Sequence, residues 1–396
     1  MRRLLLLLLV ILLTTRCGND GGDRLFQSTI PTTTTLTIGV IAPLQAGLTA
    51  FGLGIRNSAQ LAVDQANRNQ TLPGVRLVLE SYDDSSDPQV GAQAARALAA
   101  NNTVVGVIGT YNSGVAFQTA PILGAASIAQ ISPANTDPAL TLGPDPAVPV
   151  RPFANYFRMV VPDTVQGPVL ARFAFNNLGL RRVAVVTESK SVSQGLANNF
   201  SQEFTNLGGT ILITEVVPVG TTDYSAILAR VAATNPQLLF YGGEYQTAAT
   251  VRLQARQAGI VAPLMGGDGI KDSNYIASTG AASEGDFAST VGAPLASLPG
   301  GAQFLQDYQA AGFLDPPTDY GPFAYDATNT LIAALQATLG NTNSFDTTSR
   351  AQILAQLQAT RSSGVTGPIA FDAFGDPVNE LLTIYQVQNG QWVPVP

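Results

Sequence analysis

Two short loops carry most of the side chains that could hold a small polar molecule. In Ala129-Gln-Ile-Ser-Pro-Ala-Asn-Thr-Asp-Pro-Ala-Leu140 an apolar run breaks into Ser132, Asn135 and Thr136, and earlier Val104-Val-Gly-Val-Ile-Gly109 runs into Thr110-Tyr-Asn-Ser113. Backbone groups at a strand end cannot all be paired by a sheet, and short hydroxyl and amide side chains suit a polar ligand there. Two such strand ends, with Tyr111 between their polar groups, predict a cleft. Asp83, Asp84 and Asp87 form a third cluster, but no Gly–Glu completion of a calcium loop follows and they read as turn residues, so no metal or cofactor is expected.

Composition narrows the chemistry further. The 396-residue chain has no histidine, and its single cysteine is Cys17. A Ser-His-Asp triad, a Cys-His pair, a histidine-bound metal and an intrachain disulfide are therefore excluded. A Ser/Lys or carboxylate mechanism would remain open to an enzyme, but nothing in the sequence assembles one, and the chain reads as non-catalytic. Charged residues make up 12% and the formal charge is −7, which disfavours nucleic acid as a partner.

Met1-Arg-Arg followed by the apolar run Leu4 to Leu13 has the form of a secretory leader, too short to span a membrane. An exported protein in the periplasm, or on the outer face of the cytoplasmic membrane, is expected. Cys17 directly after this run resembles a bacterial lipoprotein cleavage and lipidation site, with Arg16 where a small residue is usual; an ordinary leader with an incidental cysteine is the alternative. Residues 18–35 read as a Gly- and Thr-rich flexible tether.

The elements that must position the loops follow from a repeated alternation of short Val/Ile-rich runs with amphipathic stretches, the pattern of βαβ units and a parallel sheet. Strands are predicted at 37–42, 75–82, 104–109 and 128–132, with helices at 54–69, 88–100 and 115–126. After a Pro-rich passage and Tyr156 to Val161 the alternation restarts: helices at 164–177, 195–207, 223–233 and 247–258, strands at 182–187, 210–217, 238–241 and 264–266. Glycine pairs after two of these strands, at 242 and 266, either let a ligand approach the backbone or simply make turns. The C-terminal third is predicted to hold two helices, near 320–340 and 348–360, then strands near 369–371 and 381–387 with a hairpin turn at Asn389-Gly390.

From about Leu36 to Trp392 the chain resembles the type I periplasmic solute-binding proteins of ABC importers, in particular the branched-chain amino acid (Leu/Ile/Val) binding family. The resemblance rests on Ser81-Tyr-Asp-Asp-Ser-Ser-Asp-Pro88, Val107-Ile-Gly-Thr110, Ile131-Ser-Pro-Ala-Asn-Thr-Asp-Pro-Ala-Leu140, Thr222-Asp-Tyr-Ser-Ala-Ile-Leu228 and Phe240-Tyr-Gly-Gly243, in that order and spacing. It implies an α/β fold of two doubly wound parallel-sheet lobes joined by three crossings. Lobe 1 would comprise 36–160 plus 289–366, and lobe 2 would comprise 161–288 plus 367–396. Function would then be capture of an amino acid between the lobes and delivery to an ABC permease by a monomer, held to the membrane if Cys17 is lipidated. A binding or sensor protein of the same fold for a small amide, urea or aromatic acid is the alternative.

The resemblance also assigns roles. Ser113, with backbone amides at the start of its helix, and Thr136 would hold the amino acid's carboxylate, in keeping with the partial positive charge of a helix N-terminus. Read without the resemblance, Ser113 could instead cap its helix and Thr136 start a turn. Asp268 would take the ammonium, with the Ala134 carbonyl sharing it, and Phe51 would flank the ligand. Three positions depart from the family: its first-lobe disulfide is replaced by Ser86 and Asn112, an aromatic over the ligand by Val192, and a tyrosine by Glu244. A buried Glu244 would need a polar or cationic ligand group, a neutralising neighbour such as Lys190, Arg252 or Lys271, or an outward turn to solvent. A polar or mixed amino acid range is therefore expected rather than strict Leu/Ile/Val selection.

Overall fold

The computed structural model describes residues 33–45, 47–218, 220–298, 300–340 and 344–395. The leader, Cys17 and most of the tether lie outside them. Strands β1 (Thr34–Ala42), β2 (Val75–Asp83), β3 (Val104–Gly109), β4 (Ala129–Ser132) and β5 (Tyr156–Arg158) make one parallel sheet in the order β2-β1-β3-β4-β5. The connecting helices are α1 (Thr49–Arg68), α2 (Pro88–Ala100), α3 (Ser113–Ala125) and the single turn α4 (Ala139–Leu142). Every residue of β3 and β4 is buried, which is why Val104 to Gly109 reads as an unbroken run of small and apolar residues instead of alternating.

The second series begins with α5 (Asp163–Arg172), whose last turn widens into a π-helical segment, Phe173–Asn177. It continues through β6 (Arg182–Glu188), α6 (Ser191–Asn206), β7 (Thr210–Val217), α7 (Ser225–Ala233), β8 (Leu238–Gly242), α8 (Tyr245–Gln257), β9 (Leu264–Gly266), α9 (Ser273–Thr279) and β10 (Phe287–Val291). After α10 (Gly301–Ala310), α11 (Gly321–Leu339) and α12 (Thr347–Gln358), a small antiparallel pair forms from β11 (Arg361–Gly364) and β12 (Gly367–Ala370). Strands β13 (Leu382–Gln388) and β14 (Gln391–Pro394) then close the second sheet, in the order β14-β13-β10-β9-β8-β6-β7. Pairing is parallel from β10 to β7 and antiparallel where β13 meets β10 and β14.

The C-terminal third holds more than the two expected helices, since α9, β10 and α10 all precede α11. α9 and β10 are short and rich in Ser, Ala and Thr, so no strong period marks them, whereas α10 does carry a helical signal in Phe304 and Tyr308, one turn apart and both buried. Ser289 lies within β10, so the second sheet runs through it to Val291. Helix α11 is the chief packing partner of α1, and their contact is close: a Cβ on Gly54 would lie 2.5 Å from the Pro317 carbonyl oxygen, and one on Gly321 would lie 2.6 Å from Ser58 Oγ. Only glycine permits that approach. The Asn389-Gly390 turn joins β13 to β14 with φ of 53° and 71°, the left-handed pair that a two-residue hairpin requires. Among the described residues no helix is long and apolar enough to cross a membrane.

Candidate ligand-binding cleft

The acidic cluster resolves into turn and cap work. Asp83 Oδ1 accepts from the Leu44 and Gln45 amides, Asp84 Oδ1 accepts from the Ser86 amide, and Asp87 caps α2 through the Gln89 and Val90 amides. The polar loops after β3 and β4 divide their labour. Ser132 Oγ donates to the Thr110 carbonyl at 2.9 Å and accepts from the Ala134 and Asn135 amides, while Asn135 Nδ2 donates to the Tyr111 carbonyl at 2.7 Å. The Tyr156 hydroxyl donates to Asn135 Oδ1. Ser132 and Asn135 are thus consumed in tying one loop to the other. Their ties leave Ser113, Ala134 and Thr136 on the wall of a cleft, beside Tyr111 and Asn112.

The remaining walls come from Asp163, from Ser193 and Leu196 of α6, from Gly243 and Glu244 after β8, from Asp268 and Gly269 after β9, and from Tyr320 before α11. Ser113 is the first residue of α3, and its Oγ accepts weakly from the Asp137 amide at 3.4 Å, while the Val115 and Ala116 amides turn back to the Asn112 carbonyl. Asp268 is buried and held on every side: its amide donates to Gln166 Oε1, its Oδ1 accepts from Gln166 Nε2 at 3.1 Å, and its Oδ2 accepts from the Tyr320 hydroxyl at 2.8 Å. Burial raises its pKa, against the pull of these donors. Gln166 is fixed in turn by Ser289 Oγ, which donates to its Oε1 at 2.6 Å, and it also reaches Asp163 Oδ1.

Phe51 stands one layer behind the wall. It stacks on Tyr111 with ring centroids 4.9 Å apart and meets Tyr320 and Tyr245 edge-on at 5.2 and 5.6 Å. It shapes the surface that Tyr111 and Tyr320 present.

Of the neutralising neighbours open to Glu244, the structure selects Lys190. Its Nζ pairs with Glu244 Oε2 and, at 3.2 Å, with Glu188. Glu244 Oε1 accepts from Asn112 Nδ2 at 2.7 Å, a bond between residues 132 apart in sequence that joins the wall of the first sheet to that of the second. Arg252 instead pairs with Asp286, and Lys271 with Asp319, each at 2.8 Å. Val192 belongs to the first turn of α6, and its side chain is outside the described residues. In the first glycine pair, Gly242 is pressed against protein atoms, where a Cβ would meet the Ser193 carbonyl at 2.4 Å, while Gly243 lies on the cleft wall and a Cβ there would meet Glu188 Oε1 at 2.6 Å.

Sequence reasoning did not single out Asp163, Gln166, Ser193, Leu196 or Tyr320. Asp163 and Gln166 share the stretch Asp163-Thr-Val-Gln166, where i, i+3 spacing at a helix start places both on one face. Tyr320 carries no comparable local signal.

Comparison with known proteins adds the family. A periplasmic binding protein family model matches residues 35–391. A Leu/Ile/Val-binding protein homolog 2 from Brucella abortus is 29% identical over 356 residues, covering 90% of this chain and 91% of the relative. The crystal structure of a leucine binding protein LivK from Thermotoga maritima is similar with a TM-score of 0.79 and 28% identity, covering 91% of this chain and 98% of that one. A solute binding protein from R. palustris in complex with benzoate shares the fold, with a TM-score of 0.78, 21% identity and coverage of 91% and 95%. Two sheets lining one cleft, a family model spanning nearly the whole described chain and these relatives agree: the protein is a member of the type I periplasmic binding proteins, in the family of the Leu/Ile/Val-binding proteins, which are solute-binding receptors.

Proposed function

We propose that the protein captures a free amino acid in the cleft and presents it to an ABC permease. The observation that carries this reading is the division of the cleft. Ser113, at the N-terminal end of α3, and Thr136 share one pocket with the buried carboxylate of Asp268, and the first two would suit an anion. A carboxylate and an ammonium on one small molecule satisfy both. In this reading Ser113 and Thr136 hold the carboxylate, Asp268 takes the ammonium with the Ala134 carbonyl, and Tyr111 and Tyr320 form apolar walls. Lobe 1 is built around the five-stranded sheet with α10 to α12, and lobe 2 around the seven-stranded sheet.

An aromatic acid, the ligand type of the benzoate complex, fits less well. It would bring an anion into a pocket lined by Asp163, Glu244 and Asp268, with no amine to offer them. Location in the periplasm, with Cys17 as a lipid anchor, completes the proposal; in that case Cys17→Ser releases the protein from membranes. The deciding experiment is thermal unfolding with each of the twenty amino acids and, for comparison, benzoate and small amides, because a ligand that binds only the folded state raises its melting temperature. Stabilisation by an amino acid supports the reading. Stabilisation by benzoate or an amide alone overturns it.

A further inference from the structure

The loop that carries Thr136 is held by an arginine outside the cleft. Arg158, the last residue of β5, has no exposed side-chain surface. Its Nη1 donates to the carbonyls of Asn135 and Asp137 at 3.2 and 2.8 Å, its Nη2 to Thr141 Oγ1, and its Nε to Asp376 Oδ1. The two carbonyls flank Thr136. One guanidinium nitrogen therefore grips the backbone on both sides of a cleft residue.

That grip decides which way the dipoles of the loop face. The peptide between Asn135 and Thr136 is trans, so its C=O and N–H point in opposite directions. With the Asn135 oxygen drawn to Arg158, the Thr136 N–H is turned away from the arginine. Thr136 lines the cleft, and among the described residues its amide makes no hydrogen bond. Its hydroxyl, by contrast, is a hydrogen-bond partner of the Asp163 carboxyl. The amide is what Thr136 has left to offer an anion. Drawing the Asp137 carbonyl to the same guanidinium takes a second negative dipole end away from that anion.

Asp376 fixes the arginine from the other side, its Oδ1 accepting from Arg158 Nε and its Oδ2 from the Thr141 hydroxyl at 3.0 Å. It lies between β12 and β13, in the stretch that runs on into the seven-stranded sheet at Leu382. The same stretch leans closely on β5: the Gly375 carbonyl accepts from the Arg158 amide at 3.0 Å, and a Cβ on Gly375 would lie 2.5 Å from the Tyr156 carbonyl oxygen. A buried ion pair stabilises little over an apolar pair of similar volume, so stability alone does not account for this one. Its charge also reaches the cleft wall, where it opposes the rise that burial imposes on the pKa of Asp163.

We propose that Arg158 is the positioning residue of the carboxylate site: by gathering the Asn135 and Asp137 carbonyls it aims the Thr136 amide at the ligand's carboxylate, and Asp376 holds it to that task from the stretch leading into the second sheet. This rests on the amino acid reading of the cleft. Arg158 touches no ligand itself, and its effect passes entirely through the loop.

The test compares two ligands by titration calorimetry of the full-length protein at pH 6: the amino acid that stabilises it most among the twenty, and the primary amide of that amino acid. The amide keeps the side chain and the charged ammonium and lacks the carboxylate. Wild type should bind the acid about tenfold or more tighter than the amide. In Arg158→Lys, which keeps the charge but loses the fork that spans both carbonyls and Asp376, this ratio should shrink by about fivefold or more. Arg158→Met combined with Asp376→Leu removes the pair without leaving a buried charge uncompensated, and should shrink the ratio likewise. Asp376→Asn leaves Arg158 on the carbonyls, and should lower stability while keeping the ratio within about twofold. A merely structural role would lower stability and both affinities together and leave the ratio alone. An unchanged ratio in either folded Arg158 variant thus overturns the proposal while amino acid capture stands. A wild type that binds the amide as tightly as the acid overturns it without any variant. Absence of stabilisation by all twenty amino acids counts against the amino acid reading itself.

Discussion

The Tyr320 hydroxyl donates to Asp268 Oδ2 at 2.8 Å, so the carboxylate that follows β9 of the seven-stranded sheet is held by a residue at the start of α11, a helix packed on α1 beside the five-stranded sheet. The bond ties one wall of the cleft to the other and aims the carboxylate.

Tyr320→Phe keeps the ring contacts with Phe51 and Tyr111 and removes this donor alone. Loss of a hydrogen bond to a charged group should cost about 1 to 2 kcal/mol of the closed form, and amino acid affinity should fall roughly five- to thirtyfold. Calorimetric titration of wild type and variant with the best ligand of the screen checks it.

Asp268→Asn should weaken amino acid binding by about tenfold or more, since a charge-assisted bond to ammonium contributes roughly 1.5 to 3 kcal/mol. Binding of a ligand analogue lacking the amine should be weak and nearly indifferent to the substitution. Parallel titrations of the amino acid and its 2-oxo analogue measure this.

Asp84 predicts a pH dependence of stability that has nothing to do with ligand. It is fully buried, its Oδ2 has no hydrogen-bond partner, and burial raises its pKa from 3.8 to about 7, more than the Ser86 amide lowers it. Because the folded-state value lies above the unfolded one, the unfolded chain releases this proton first. Stability from this group is therefore present below pH 4 and is lost as pH rises towards 7, over a span worth roughly 4 kcal/mol. Asp84→Asn removes the loss, so urea denaturation at pH 4, 5.5 and 7 should show the variant gaining on wild type as pH increases.

Arg252 and Asp286 form an ion pair with no exposed side-chain surface on either partner, and Asp286 also accepts from the Tyr275 hydroxyl and the Leu264 amide. Arg252→Met leaves that carboxylate without its counter-charge and should destabilise by about 3 to 5 kcal/mol. Adding Asp286→Asn should restore part of the loss, because the uncompensated charge goes with it. Denaturation midpoints of wild type, single and double variants test both statements.

The parts of this fold written locally were legible. The period of the βα units placed β6, β7 and β8 close to their observed bounds, and the Asn-Gly dipeptide marked its hairpin, since these depend on neighbours in sequence. Ser113 and Thr136, which follow strand ends, could be found for the same reason, whereas Glu244 and Asp268 came from the resemblance to the family. What escaped was assembled from afar. Gln166 meets Asp268 from 102 residues away, Tyr320 from 52, and nothing around either announces the partner. The fate of Glu244 shows the limit clearly: sequence named Lys190, Arg252 and Lys271 as possible partners, and only packing could choose the first and send the others to Asp286 and Asp319.

The antiparallel pairing of β13 with β10 also governs the order in which the protein can be made. While the chain is being synthesised, β10 is complete long before its partner exists; Thr383, which bonds the Gly292 carbonyl just beyond β10, follows it by 91 residues. Without that partner the sheet ends in an unpaired strand, Phe-Ala-Ser-Thr-Val, buried throughout in the complete fold, whose backbone invites pairing with any other extended chain. The last strands are thus a clasp, and a ribosome stalled or a gene truncated shortly before Leu382 would release a nearly whole protein with a sticky edge.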